Sequence, residues 1–374
     1  MLPYFCEKLH PLKNRTVLVC PLDWGIGHAT RCVPVIRMFM QKGFRVVVAG
    51  DGRPLDFLKR EFPGIPFRVF PGAKIRYPGK SGFTWRMVRL APRFLLQILK
   101  EHRMLKRYLD QEGAGIVVSD NRYGLWSKRC HTILITHQLS VEVPKGLAWM
   151  KPFLEWTVRW FAGKFDACWI PDFDQPVGLA GRLSHPPKLP KNALYTGILS
   201  RFSLQEIFHD PPEPSGVEVL VLLSGPEPQR TILEQKLTAQ LMNTDLRTVI
   251  VRGVTESSET EDLAPHIRRF SHLETPVLRN LMNDVLVVIA RSGYSSIMDL
   301  VTMGKRAIFI PTPGQTEQEY LARNLMEKKI FFSMAQEDFD LIYALEMSKN
   351  FPGMVLENDY KVLEEAVEEL KEKS

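Results

Sequence analysis

The chain has 374 residues, 45% of them apolar and 24% charged, the balance of an ordinary soluble globular protein, and at roughly 150 residues per domain it holds two. The net charge of +7 is uneven: residues 1–200 carry 31 Lys+Arg against 14 Asp+Glu, and residues 201–374 carry 18 against 28, so the first half is suited to an anionic partner such as nucleic acid, a membrane surface or a phosphorylated substrate. Five scattered cysteines (Cys6, Cys20, Cys32, Cys130, Cys168) without a C-x-x-C pair argue against a disulfide framework or zinc site and for a reducing cytosol; no run reaches the roughly 18 apolar residues of a bilayer span, and no signal peptide is expected in residues 1–15.

Residues 16–21, Thr-Val-Leu-Val-Cys-Pro, read as a buried strand, followed by a glycine-containing loop over 23–28 and a helix to about Gln41. Pro34 fits that helix only in its first turn, because deeper in a helix it removes a hydrogen bond and clashes with the preceding turn. Phe44 opens a second strand that stops at Gly50-Asp51-Gly52, and 116–119, 132–136 and 167–170 are further short apolar runs. Continuous apolar strands separated by helices predict a parallel sheet covered on both faces. His185-Pro-Pro and Asp210-Pro-Pro-Glu-Pro-Ser-Gly are rich in turn formers, which places an interdomain connection in 185–216. The pattern then restarts, with strands at 217–223, 248–251, 285–290 and 307–310, helices after Gly293 and from about Thr316, and a charged helix over 359–373. Two doubly wound α/β domains, 1–200 and 201–374, are expected to face a central cleft, the last helix packing back on the first domain. Ligands of such sheets lie beyond the carboxyl ends of the strands.

In Arg291-Ser292-Gly293-Tyr294-Ser295-Ser296-Ile297-Met298-Asp299, a helix starting near Gly293 would point free N–H groups and about half a positive charge at the loop, enough to hold a phosphate. Ser292, Ser295, Ser296 and Asp299 share one helical face, from which the carboxylate would reach a ribose diol. Alternatively, Ser292 is a helix N-cap and Asp299 a solvated acid. Thr316-x-x-Glu319 has the spacing of a capping box; the other reading turns Gln318 and Glu319 towards sugar hydroxyls. Ser224-Gly225 after a buried strand is a third possible phosphate contact.

Residues 288–300, Val-Ile-Ala-Arg-Ser-Gly-Tyr-Ser-Ser-Ile-Met-Asp-Leu, with Gly304-Lys-Arg-Ala-Ile-Phe-Ile-Pro and Gln318-Glu319-Tyr320, resemble the donor-site signature of bacterial glycosyltransferases. The group they resemble is the family of the lipid II-forming N-acetylglucosaminyltransferase of peptidoglycan synthesis. The resemblance implies the GT-B architecture, two Rossmann-like domains with the nucleotide-sugar donor on the second, and an inverting reaction. It implies a diphosphate contact from the Arg-Ser-Gly loop, here Arg291, Ser292 and Gly293, and a ribose contact from Asp299, where the family has Glu. Gln318 matches a donor-sugar contact; Glu319 replaces the family's second Gln. Leu273 is the nearest match to an apolar residue beside the uracil.

Asp23-Trp24-Gly25-Ile26-Gly27-His28 matches the family's acceptor-side G-x-G-H loop, Gly25 and Gly27 supplying the glycines and His28 the histidine. A neutral imidazole there would take the proton of an acceptor hydroxyl; the competing role is a hydrogen bond to the donor diphosphate. Asp120 is a rival base. Asn121, Arg122, His137 and Gln138, also at strand ends, are expected on the acceptor side, or else as caps and turns. A dinucleotide reading of the G-x-G loop lacks its third glycine, because Thr30 stands in that place. Asp172-Phe173-Asp174 resembles the D-x-D metal motif of the other major glycosyltransferase fold and is read instead as a turn, since helix ends and donors can stabilise a leaving diphosphate without metal.

Residues 73–108 carry ten Lys/Arg and one acid, interleaved with Phe83, Trp85, Met87, Val88, Leu90, Phe94 and Leu95; residues 146–161 add Trp149, Met150, Phe153, Trp156, Trp160 and Phe161. They read either as a peripheral patch over anionic lipid or as amphipathic helices with their aromatics in the core. No helix-turn-helix, zinc finger or RNP-type motif supports nucleic acid. The expectation is a cytoplasmic enzyme, peripheral on the inner face of the cell membrane, that moves N-acetylglucosamine or a related hexose from a UDP-sugar to a hydroxyl of a lipid-linked or cell-envelope acceptor, with no cofactor or metal. The rivals are a UDP-sugar epimerase of the same fold and a non-catalytic basic protein of membranes or nucleic acid.

Overall fold

The computed structural model describes residues 14–72, 83–143, 145–174, 178–202, 216–356 and 360–372, with side chains from 93 onward in the second of these segments and from 146 onward in the third. The N-terminal domain runs β1 (Thr16–Cys20), α1 (Ile26–Gln41), β2 (Arg45–Gly50), α2 (Gly52–Glu61), β3 (Phe67–Val69), α3 (Phe83–Gln111), β4 (Ile116–Asp120), β5 (His131–Ile135), α4 (Lys151–Ala162), β6 (Ala167–Ile170) and β7 (Ala193–Tyr195). The C-terminal domain runs β8 (Val219–Leu222), α5 (Gln229–Leu241), β9 (Thr248–Val251), β10 (Thr260–Ala264), β11 (Ile267–Phe270), α6 (Thr275–Asp284), β12 (Val287–Ala290), α7 (Tyr294–Thr302), β13 (Ala307–Phe309), α8 (Thr316–Glu327), β14 (Phe332–Ser333), α9 (Leu341–Ser348) and α10 (Lys361–Glu372).

Each domain is a seven-stranded sheet, β3-β2-β1-β4-β5-β6-β7 and β10-β11-β9-β8-β12-β13-β14. All pairings are parallel except the β10–β11 hairpin. Both sheets therefore reverse direction of winding once, between β1 and β4 and between β8 and β12, the doubly wound arrangement whose switch points bind ligands. The central strands are buried on both faces because their residues are apolar in unbroken runs: Val17–Cys20, Ile116–Val118 and Val287–Ala290 have almost no exposed surface.

Three local expectations are corrected. Pro34 lies inside α1, well past its first turn. The helix continues because every residue from Ala29 to Phe39 is buried, and burial on this scale outweighs the roughly 3 kcal/mol that an interior proline costs. β7 falls within the stretch read as a connection; it pairs with β6 as the sheet edge, so the crossing starts later than residue 185. The β10–β11 hairpin adds two strands where no apolar run marks them: Thr-Glu-Asp in β10 is exposed and polar, and charged pairs such as Arg268–Asp262 and Arg269–Glu261 line this edge.

The chain crosses between domains more than once. α10 returns to the N-terminal domain, where Lys42 Nζ meets Glu364 Oε1 at 2.7 Å and Glu368 Oε2 at 3.1 Å. Tyr360 Oη donates to Ser200 O (3.0 Å) and accepts from Ser200 N (3.1 Å). Among the described residues no helix is long and apolar enough to cross a membrane.

Candidate active site

α1 and α7 start at the two switch points, and their first turns touch: Ser295 Oγ donates to Gly27 O at 2.7 Å. A Cβ on Gly27 would come within 3.0 Å of that hydroxyl, so the glycine permits the approach. Gly25 and Gly293 are the N-cap residues; neither helix has a side-chain cap or an acid in its first turn. A Cβ on Gly25 or on Gly293 would meet nothing within 4 Å, so both glycines border open space. Two uncapped helix ends thus bring their amide groups and positive dipole ends to one place.

Beside this junction is an open cavity, with about 680 Å³ of space that includes open solvent. Ser224, Leu273, Ser295, Ser296 and Asp299 line it from the C-terminal domain, and Ile26 and Gly27 from α1. Gly225, at the same loop as Ser224, has φ +97°, a conformation that only glycine takes readily. Asp299 is buried and already engaged: its Oδ1 accepts from Ser200 Oγ at 2.7 Å and its Oδ2 from Arg201 Nε at 3.2 Å. Burial raises its pKa above the ordinary value, against the opposing pull of Arg201 and Ser200. Next to Leu273, His272 is pushed down to about 4 by burial and by Arg201 and Arg60, so its imidazole adds no charge to the cavity wall.

On the N-terminal side, His28 and Asp120 meet, although 92 residues apart: Nδ1 lies 3.0 Å from Oδ2. Arg31, one turn further along α1, braces the same carboxylate, with Nε at 2.8 and 2.9 Å from its two oxygens and Nη2 on Oδ1. Arg31 Nη2 also lies 2.8 Å from His28 Nδ1. Burial alone would raise the pKa of Asp120, but Arg31 and His28 hold the carboxyl below the usual carboxylate range. Its side chain is 0% exposed, whereas His28 keeps 19% of its surface. Of the two rival bases, Asp120 is therefore out of reach of an acceptor, and it is placed to orient the imidazole.

Arg31 Nη1 reaches His137 Nδ1 at 3.0 Å, and His137 Nε2 reaches Glu317 Oε1 of α8 at 2.8 Å. Gln138 Nε2 bonds the other oxygen of Glu317. The His137 ring stacks on Tyr294 of α7, centroids 4.3 Å apart. His137 and Gln138 thus join the domains instead of opening onto an acceptor space, a correction to their expected placement.

Other expectations are corrected by burial. Arg291 has no exposed surface; its guanidinium holds Ile310 O, Pro311 O, Gln229 O and the Gln336 side chain, so it organises the loop and does not face the cavity. Ser292 Oγ donates to Gln318 O, which excludes it as the N-cap, a place Gly293 takes. Gln318 Oε1 accepts from Thr312 N at 2.8 Å and Glu319 Oε1 from Gly314 N at 2.8 Å. The capping box is absent because the helix begins at Thr316 itself, whose hydroxyl crosses to Glu142 O. Arg122 pairs with Glu101 in the interior and donates to Phe70 O, away from the cleft. Asn121, in left-handed conformation at φ +54°, ends β4 and donates its N–H to Ile135 O. Asp172 accepts N–H bonds from Phe173, Leu179 and Ala180 and a hydroxyl from Ser184, which makes the D-x-D a turn; Gln175-Pro176 lies outside the described residues.

Arg31, Glu317 and the Ser295–Gly27 contact had no part in the expected site. Arg31 stands at i+3 from His28, a spacing that puts both on one helix face and that marks it in retrospect. Nothing local marks Glu317.

The aromatic stretch of α4 and of the turn before it is not core. Trp149, Phe153, Trp156 and Trp160 are 76, 62, 51 and 49% exposed and succeed one another at helical spacing, with Trp156 stacked between Phe153 and Trp160. On α3, Leu95, Leu96 and Leu99 are exposed, and their neighbour Phe94 packs edge-on against Trp24 of the His28 loop. The basic residues 73–82, and the side chains up to 92, lie outside the described residues.

Residues 249–372 match the model of the glycosyltransferase family 28 C-terminal domain. An uncharacterized glycosyltransferase of Methanosarcina acetivorans is 23% identical over 308 residues, 79% of each chain. Among solved structures, the glycosyltransferase of kitacinnamycin superposes with a TM-score of 0.58 at 16% identity, covering 96% of this chain and 94% of that one. Acinetobacter baumannii MurG superposes with a TM-score of 0.50 at 12% identity, covering 96% and 95%. The chain is a glycosyltransferase of the two-domain GT-B architecture, whose residues 249–372 are similar to the family 28 C-terminal domain.

Proposed function

We propose that the protein transfers N-acetylglucosamine or a related hexose from a UDP-sugar to a hydroxyl of a lipid-linked acceptor, with inversion. The observation that carries this is the meeting of two uncapped helix ends beside a cavity, one of them carrying His28, paired with Asp120, in its first turn. The helix ends suit a diphosphate. Asp299 faces the cavity and, when ionised, offers its oxygens to a ribose diol, the ribose hydroxyls sharing it with Ser200 and Arg201.

The acceptor hydroxyl gives its proton to His28 Nε2 as its oxygen bonds to the anomeric carbon. The bond from that carbon to the diphosphate oxygen breaks on the opposite face, and its electron pair leaves with UDP. For Nε2 to take that proton, Nδ1–H must point to Asp120 Oδ2, 3.0 Å away, with Arg31 Nη2 donating to Asp120 Oδ1 and not to the imidazole; the carboxylate then steadies the imidazolium as it forms. The positive helix ends and N–H donors take up the charge developing on the diphosphate, so the transfer needs no metal. The exposed aromatics of α4 and leucines of α3 belong to the acceptor-bearing domain and fit a membrane interface, with its anionic lipids matched by the excess of basic residues in residues 1–200.

The test is a thermal-shift panel of nucleoside diphosphate sugars, followed by incubation with the binding sugar nucleotide alone. Stabilisation by UDP-sugars and not by ADP or GDP analogues supports the reading. No response to any of them, or epimer formation without acceptor, overturns it.

A further inference from the structure

The groups that hold the His28–Asp120 pair do not end within the N-terminal domain. Arg31 can only donate hydrogen bonds, so its Nη1 contact makes Nδ1 of His137 an acceptor. A neutral imidazole with an accepting Nδ1 carries its proton on Nε2, which then donates to Glu317 Oε1 at 2.8 Å. Burial holds His137 below the ordinary imidazole pKa, against the pull of Glu317, so the neutral tautomer is the one present near neutral pH. The ring has little freedom to turn: its face lies on Tyr294, whose hydroxyl is fixed on Pro171 O at 2.8 Å. Glu317 is fixed in turn by Gln138 Nε2 on its second oxygen. One continuous polar chain therefore runs from the start of α8, in the C-terminal domain, through His137 and Arg31 to the carboxylate and imidazole of the acceptor side.

We propose that Glu317 is a positioning residue: through His137 and Arg31 it sets the orientation of the His28 imidazole, so that the His28–Asp120 pair is fully ordered only with the two domains in contact. The proposal rests on the reading of His28 as the base. Glu317 sits in the first turn of α8, in the domain that supplies Ser295, Ser296 and Asp299 to the cavity, so a domain arrangement that seats the donor also completes the base. Premature activation of water by a base left standing in an open cleft is thereby avoided.

The test uses the full chain labelled with ¹⁵N-histidine, whose nine histidines give a tractable imidazole spectrum, with His28 assigned by its loss in His28→Ala. In Glu317→Gln and in His137→Phe, which keeps the stack on Tyr294, the His28 ring resonances are expected to move and broaden. Unchanged His28 resonances in both folded variants overturn the proposal, whatever the enzyme does. A second measurement is UDP release from UDP-N-acetylglucosamine in water: Glu317→Gln should lower kcat about tenfold or more with KM little changed. Placed in a His28→Ala background it should add nothing; a further loss there would mean a merely structural role and overturn the proposal. Moved resonances together with full turnover in His28→Ala would instead sink the catalytic reading and leave the coupling standing.

Discussion

α1 and α7 begin in the same way and differ in the side chains of their opening turns. Each starts at a switch point, behind a glycine N-cap and without a side-chain cap. α1 then places His28 and Arg31 in its first turns, with the countercharge Asp120 supplied by the neighbouring strand. α7 offers only the hydroxyls of Ser295 and Ser296 and keeps its acid, Asp299, two turns away. In the proposed reading the same backbone device is tuned by its side chains: a charged opening builds a proton-transfer pair, and a neutral one leaves the amides to an anion. In the proposed reading the first serves the acceptor and the second the donor.

That division can be broken by mutation. The largest effect is expected from His28→Ala: turnover falls by about 10²–10⁴ while UDP affinity, measured by calorimetry, is little changed. A loss of UDP affinity instead would put the imidazole on the diphosphate. Asp299→Ala should do the reverse, weakening UDP binding by roughly 1.5–3 kcal/mol, the worth of charge-assisted hydrogen bonds, with the fold intact by circular dichroism. Because ribose hydroxyls need the ionised carboxylate and burial raises its pKa, UDP affinity should fall as pH is lowered, starting above the ordinary Asp value of about 4. Asp299→Asn should abolish that pH dependence. A smaller effect is expected at the surface: Trp156→Ala with Trp160→Ala should reduce co-sedimentation with vesicles of anionic lipid several-fold, leaving UDP binding unaltered; equal binding to vesicles would remove the membrane from the reading. The smallest is none at all: in the proposed reading helix ends and not a cation balance the leaving group, so turnover should survive excess EDTA.

Much of the fold is legible from composition along the chain. Unbroken Val/Ile/Leu runs mark the buried parallel strands, and each switch-point loop comes directly after such a run and carries glycine. The failures have a common cause. Residue type alone misplaces Pro34, Arg122 and Arg291, because tertiary packing decides whether a proline is carried within a helix or a charge is turned inward. Arg31 and Asp120 are 89 residues apart, and His137 and Glu317 are 180 apart, so no local spacing could have announced either pair. The donor loop is legible as a loop because its glycine and serines form a short continuous pattern; the direction of its side chains is not, since Ser292 and Gln318 turn towards each other only once α7 and α8 are packed.

The button between Tyr360 and Ser200 ties together the two stretches of backbone that pass from one domain to the other. The Tyr360–Ser200 pair adjoins Asp299, which grips Ser200 and Arg201. Any ligand that draws that carboxylate towards itself therefore loads Ser200 and Arg201 directly, with no intervening residue between pocket and crossing.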